Sequence, residues 1–336
     1  PPFDGSGSAA YFSALNRGKR ALSLDLSQPA AQEVLHRLLE GADALVENFV
    51  PGTMERWGLG YEQALAARYP RLIYCAISGF GGDGPLGGLP GYDAVLQALC
   101  GVMSVNGHAA SGSTRVGIPV VDHLTGYVAL SGILMALQAR HRTGTGQRVE
   151  ATLYDTALSL LLPHASSWFA SGHDPQLLGS AHPNIAPYDK FRASDGEVFI
   201  GILNDSQFQR FSRHIGRPQL AHDARFASNA SRVLNRAALK DEIESAIAGS
   251  PSGPLCEALM RAAVPAAAVH TRLEPGLQAW GEIIGYGAAL AWFLPRSAEI
   301  ERHDQALGAR LRDALVEMPN LRVFGPVERS ATISVV

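Results

Sequence analysis

Asp155 is the carboxylate around which the rest of this sequence makes chemical sense. It lies in Gly144-Thr-Gly-Gln-Arg-Val-Glu-Ala-Thr-Leu-Tyr-Asp155, followed by the apolar run Thr156 to Leu162. The two glycines punctuate a helix end, Arg148 to Leu153 alternates like a short strand, and the apolar run is long enough to be helical. Asp155 therefore falls at a strand-to-helix joint, where unpaired N–H groups favour an anion. Two roles fit such a residue, a helix cap or a reactive carboxylate. A second chemical cluster is Asn16-Arg17-Gly18-Lys19-Arg20, three cations in four residues around a glycine. It reads as a solvated basic turn or as a phosphate clamp, in which Arg supplies a planar fork, Lys a point charge and glycine a close backbone approach. A third is Ser78-Gly79-Phe80-Gly81-Gly82-Asp83-Gly84, which spells G-x-G-x-x-G. A dinucleotide fingerprint must open a helix, but Pro85 to Pro90 follows and cannot continue one, so the segment reads as a glycine-rich loop over a substrate.

The elements that must position these groups can be read in order. Residues 3–20 begin as a Gly/Ser loop, and Ala21 to Leu26 alternates as a strand. Gln28 to Glu40 has helical periodicity, with Ser27 as its cap and Pro29 just inside, and Ala44 to Val46 is a short strand. This is a βαβ unit. Glu47-Asn48-Phe49-Val50-Pro51-Gly52 then leaves at the carboxyl edge of a parallel sheet, where ligands bind in doubly wound folds. Leu72 to Ile77 is another strand, Ala94 to Val102 a core helix, and Thr125 to Arg140 a small-residue segment patterned for close helix packing. Beyond about Asn184 the texture changes. Strands over 187–203 turn at Ser194-Asp-Gly196, a helix over 206–215 has Asp205 as its cap, and residues 218–248 are helical.

Composition narrows the function. A chain of 336 residues exceeds a single core and implies two domains. A net charge of −3 with 18% charged residues excludes general nucleic-acid binding, which needs a basic footprint. Three cysteines without Cys-x-x-Cys spacing support neither a disulfide framework nor a structural zinc. No apolar run reaches the roughly 18 residues of a membrane span and no secretory signal opens the chain. The expectation is a cytoplasmic protein with no membrane and no nucleic-acid partner. Gly-x-Ser-x-Gly, His-Glu-x-x-His and Walker spacings do not occur.

Taken together, several stretches resemble the class III CoA-transferases, the family that includes formyl-CoA transferase and the α-methylacyl-CoA racemases. They are Asn16 to Arg20 with Leu24-Asp-Leu26, Glu47 to Gly52, Ile77 to Gly81 with Gly84-Pro85, Gly91-Tyr92-Asp93, Pro119 to Asp122, Gly144 to Asp155, and His182-Pro-Asn-Ile-Ala-Pro-Tyr188. The resemblance implies an α/β fold, a Rossmann-like large domain with a smaller α+β domain, in an interlocked homodimer. It implies that Asp155 is the nucleophile, that Asn16, Arg17, Lys19, Arg20, Asn48 and Phe49 contact the CoA nucleotide, and that Gly79, Phe80, Gly81 and Gly84 lie over the thioester. The expected partners are an acyl-CoA and a small carboxylic acid. Asp155 would attack the acyl-CoA to give a mixed anhydride, CoA thiolate would return to form an aspartyl-CoA thioester, and the acceptor acid would take CoA by the reverse sequence. Coenzyme A is then a substrate, and neither metal nor redox cofactor is needed.

The racemase branch requires a base on each face of the substrate, a histidine in Gly-His-Asp and a second aspartate. Asp122 matches the second, but Tyr92 occupies the first, and a phenol near neutral pH is a poor partner for a carboxylate in that relay. Transfer is the expected chemistry, with racemisation or a silent CoA-binding dimer as alternatives. The expected division is a large domain over 1–185, a small one over 186–272 and an atypical tail over 273–336, with the family's first strand and helix placed before residue 1. The tail weakly resembles the small domain of class V aminotransferase-like enzymes, or serves the first fold as a diverged helix and strand. A pyridoxal enzyme would need an anchoring lysine, and Lys19, Lys190 and Lys240 all lie upstream.

Overall fold

The computed structural model describes residues 9–16, 19–269 and 333–335. Arg17, Gly18 and most of the expected tail lie outside the described residues. Strand β1 (Arg20–Leu22) leads to helix α1 (Pro29–Leu39) and strand β2 (Ala44–Glu47). β3 (Ile73–Ser78) lies beside β2 in parallel, with Ala44 opposite Ile73 and Glu47 opposite Ala76. β4 (Arg148–Thr152) occupies the other side of β3. The expected βαβ unit over 21–46 is corrected: β1 lies in a separate two-stranded sheet from β2, and it is β2 and β3 that form the parallel pair at whose carboxyl end Glu47 sits.

Two local expectations are corrected. Ser27 does not cap α1: its hydroxyl donates to Asp25 Oδ1 at 2.6 Å, and Gln28 takes the cap position without a side-chain bond. The strand expected over Ala21 to Leu26 is confined to Arg20–Leu22, and a helix, Ala10–Leu15, ending on Asn16 precedes it.

Two compact units divide the chain. The first falls within 1–76, 133–149 and 276–336, the second within 77–132 and 150–275. In the first, Leu26, Leu35, Leu39, Met54, Leu59, Leu65 and Tyr74 form a buried cluster. Arg140 ties it together, donating to Asp43 Oδ1 at 2.6 Å and to the Arg71 carbonyl at 2.9 Å. Strand β1 pairs in parallel with Ile333–Val335, Arg20 opposite Ile333, so that part of the tail serves the first fold.

In the second unit, Leu96, Cys100, Val121, Leu153 and Ala157 make one cluster. A larger one lies wholly within 186–264, the span expected to form the small domain, although contacts group that span with 77–132 and 150–185. Strands Tyr188–Arg192, Glu197–Gly201 and Ala266–Ala268 form an antiparallel sheet covered by Phe208, Phe211, Phe226, Leu239 and Ile243. Each such side chain contributes about 1.5–3 kcal/mol on burial. Asn204, not Asp205, caps helix Asp205–His214, accepting from the Gln207 amide at 2.9 Å. Asp205 instead meets Arg232 at 2.8 Å.

Helix α2 (Asp93–Leu99) precedes the long helix α3 (Val120–Thr143). α3 is long and apolar enough to cross a membrane by length and composition, with a mean hydropathy of 1.5 over its best window. That corrects the expectation of no such segment, which looked for an uninterrupted run. The apolarity of α3 is instead spread among Thr125, Gly126, Ser131 and Gln138. Only 22% of the window is buried within the chain.

Candidate functional site

Asp155 occupies the first turn of helix α4 (Leu153–Ser159), directly after β4. The apolar run was expected to stay helical to Leu162, but α4 stops at Ser159, because Pro163 brings no N–H and disfavours helix before it. A cap role for Asp155 is replaced by another residue. Thr152 is the N-cap: its Oγ accepts the Asp155 amide at 3.0 Å and its hydroxyl donates to Asp155 Oδ2 at 2.6 Å. The carboxylate is thus oriented by its own cap and remains exposed. The spelling Thr-x-x-Asp is a variant of a capping box, so Thr152 was findable from the sequence and was missed.

The glycine loop is bound to this turn by backbone. The amide of Tyr154 donates to the Gly79 carbonyl at 3.0 Å, and Phe80 packs on Tyr154 with ring centroids 5.8 Å apart. Gly79 is required by packing: a Cβ there would come within 2.8 Å of the Gly91 nitrogen. Gly81 has a φ of 82°, and its amide donates to Ser78 Oγ at 2.9 Å. The Gly81 N–H is therefore committed inside the loop.

Gly91-Tyr92-Asp93 supplies the third part. Tyr92 precedes α2 and is 78% exposed, without a base beside it in the described hydrogen bonds. Asp93 is buried and accepts the amides of Val121 at 2.8 Å and Asp122 at 3.1 Å on Oδ2, and Gln97 Nε2 at 2.6 Å on Oδ1. It thereby fixes the start of α3 and with it Asp122. The Asp122 carboxyl is pushed up by partial burial and then by the charge of Asp93, with His123 opposing. Cys100 is buried in the cluster with Leu153 and Ala157, its Sγ 3.9 Å from the Tyr154 carbonyl. Its thiol is raised by burial and by the Asp155 charge.

Asp155, the glycine loop, Tyr92 and Asp122 therefore belong to one unit, and the expected nucleotide contacts to the other. There Lys19 Nζ donates to Asn16 Oδ1 at 3.2 Å. Arg20 begins β1, and Arg17 lies outside the described residues. Asn48 and Phe49 follow β2 on an exposed loop, with Phe49 edge-on to Trp57 at 5.2 Å. Among the described residues no group of three or more His, Cys, Asp or Glu is arranged to hold a metal ion.

Comparison with known proteins gives the family. A sequence model of CoA-transferase family III matches residues 1–275. The chain belongs to CoA-transferase family III. It is 33% identical to the succinate–glutarate CoA-transferase of Agrobacterium fabrum over 99% of this chain and 86% of that protein. It is 40% identical to the acetyl-CoA:oxalate CoA-transferase of Acetobacter aceti over 76% of this chain, but spans only 66% of that relative. Among solved structures, a CAIB/BAIF family protein from Brucella suis superposes with a TM-score of 0.68 at 40% identity, covering 81% of this chain and 72% of that one. A mutant of Rv3272 from Mycobacterium tuberculosis gives 0.71 at 31% identity, covering 80% of this chain and 71% of that one, and the orthorhombic form of Rv3272 gives 0.67 at 33% identity, covering 76% and 67%. The alignment with the Agrobacterium transferase runs through the tail, so the aminotransferase-like reading of that segment is not upheld. Of the lysines that reading needed, Lys190 pairs with Glu197 and Lys240 with Asp189.

Proposed function

We propose that this member of family III moves CoA between an acyl-CoA and a free carboxylic acid through Asp155. The observation that carries the reading is the Asp155 turn: an exposed carboxylate, oriented by Thr152, beside a glycine loop joined to it through Tyr154, in which the Gly82 and Gly84 amides donate to no acceptor among the described residues. In this reading one Asp155 oxygen attacks the thioester carbonyl, the C–S bond breaks with its electron pair on sulfur, and a mixed anhydride forms. The thiolate then attacks the Asp155 carboxyl carbon, releases the first acid as carboxylate and leaves an aspartyl-CoA thioester, and the acceptor reverses both steps. The Gly82 and Gly84 amides serve the oxyanions, and no step calls for a metal or redox group. Relatives are named for acetyl-CoA and oxalate, succinate and glutarate, and succinyl-CoA and mesaconate, which favours a small dicarboxylate here.

A carboxylate gains nucleophilicity when water is excluded, and in the single chain Asp155 is exposed. The same region bears Tyr92, Leu99, Leu158, Leu162 and Phe169, all exposed, while α3 exposes Tyr127, Leu130, Leu134 and Met135. So much apolar surface marks an interface, and a second copy, interlocked with the first, is the proposed cover.

The deciding experiment is an incubation in deuterated water with succinyl-CoA and a chiral 2-methylacyl-CoA. Transfer of CoA to free glutarate or mesaconate, without deuterium entering the α-position, is the expected result. Enzyme-dependent α-exchange without transfer would reverse the choice and make Asp122 an active base.

A further inference from the structure

Outside the Asp155 region, one ionisable side chain has a geometry that its fold does not require. Glu47 is the last residue of β2 and sits at the carboxyl end of the parallel pair, opposite Ala76. Its two oxygens are divided between two neighbours. Oε1 accepts the Tyr74 hydroxyl at 3.1 Å, from a buried ring on β3. Oε2 accepts the Phe49 amide at 2.8 Å, from the loop two residues on. Tyr74 is itself held, packing on Tyr61 with centroids 5.4 Å apart. The loop is held from its other side by Trp57, which meets the Phe49 ring edge-on and whose carbonyl accepts Gln32 Nε2 at 2.8 Å.

A strand end needs no carboxylate, and burying one carries a cost. Burial pushes the Glu47 carboxyl up; the Phe49 amide and Tyr74 hydroxyl partly offset this, and Glu55 and Arg148 act from nearby with opposite sign. The same burial and the Glu47 charge raise Cys75 to about 11. What the carboxylate accomplishes is mechanical. It is the one link in the described hydrogen bonds between the rigid Tyr74 and the backbone of the loop that presents Asn48 and Phe49.

We infer that Glu47 is a positioning residue that latches the Asn48–Phe49 loop to the sheet, so that the Phe49 ring is already in place for the planar base of the CoA nucleotide. This rests on the proposed reading of Asn48 and Phe49 as nucleotide contacts. Pre-ordering a loop raises affinity by removing the entropy that binding would otherwise cost. The latch depends on acceptor geometry rather than on charge. A glutamine can still accept the Phe49 amide with its oxygen and donate to the Tyr74 hydroxyl, whereas alanine can do neither.

The test uses calorimetric binding of CoA and of adenosine 3′,5′-bisphosphate to the whole protein. Glu47→Ala should weaken both by about tenfold, the worth of one hydrogen bond to a charged group, and Glu47→Gln should recover most of that loss. In turnover with succinyl-CoA the alanine variant should show a raised KM for the donor with kcat retained. Unchanged CoA affinity in Glu47→Ala, or equal losses in the alanine and glutamine variants, would overturn the latch. Phe49→Ala separates the two levels: if it leaves CoA affinity intact, the nucleotide reading itself fails and the latch with it. Should Glu47→Ala not fold, Tyr74→Phe removes one anchor alone, and a smaller weakening of the same sign is expected. Full affinity in Tyr74→Phe would again overturn the inference.

Discussion

At the scale of single residues, the Asp155 carboxylate and its Thr152 cap form one object. Asp155→Ala should abolish transfer while leaving the fold intact, because no second carboxylate shares its turn; near-normal transfer in that variant would remove Asp155 from the mechanism. Thr152→Val deletes both bonds of the cap at little change in volume. It should lower kcat by about tenfold through misorientation of the carboxylate and cost the helix about 1 kcal/mol, whereas Thr152→Ser should keep most activity. Parallel rate and melting measurements separate the two effects. Glu47 gives a prediction with a definite pH sign. An acid raised on folding binds its proton more tightly in the folded state, so its contribution is fully present below the unfolded value and is lost as pH rises through the folded one. Glu47→Gln should therefore gain stability relative to the parent as pH climbs from the ordinary glutamate value of 4.5 towards neutrality, and the two melting curves should converge below it. A constant difference across that window would mean that Glu47 does not titrate on unfolding.

At the scale of elements, two buried charges hold helices in place. Asp93 accepts three donors, two of them from the first turn of α3, and Asp93→Ala should cost about 3 kcal/mol by orphaning them, read as a lower urea midpoint. Arg232 is fully buried, donating to the Ala186 carbonyl at 2.6 Å and to Phe226 at 3.0 Å while lying 4.5 Å over the Phe208 ring. Arg232→Ala should destabilise the 186–264 core by about 3–5 kcal/mol, since it leaves those acceptors buried without donors. The strands and helices that carry these residues were legible, because periodicity and Gly/Pro punctuation are local properties. The caps were legible only in part. Ser27 and Asp205 were plausible by type, but Asp25 and Arg232, respectively, engaged them first. Asp155 was found through a motif. Thr152 was legible in the Thr-x-x-Asp spelling, whereas the role of Glu47 rests on a hydrogen bond from the Phe49 backbone amide that no residue type announces. The hydropathy of α3 was missed because small residues interrupt it.

At the scale of the whole molecule, the chain leaves apolar surface where its chemistry wants dryness. If a second copy covers α3, replacing Leu134 and Met135 by glutamate should convert a dimer to monomer in size-exclusion chromatography and abolish transfer with Asp155 untouched. A monomeric parent, or a dimer unaffected by the pair, would assign that face to another partner. One further property follows from the pairing of Arg20–Leu22 with Ile333–Val335. Strands that meet across about three hundred residues form late, since the closure entropy must be met before the contact returns anything. On the ribosome, Arg20–Leu22 is made about three hundred residues before its neighbour is synthesised. During that interval its edge is open to any other extended segment, including the same strand of a sister chain on the next ribosome. Translation speed and chaperone occupancy near that early strand should therefore govern yield more than does the stability of the finished fold.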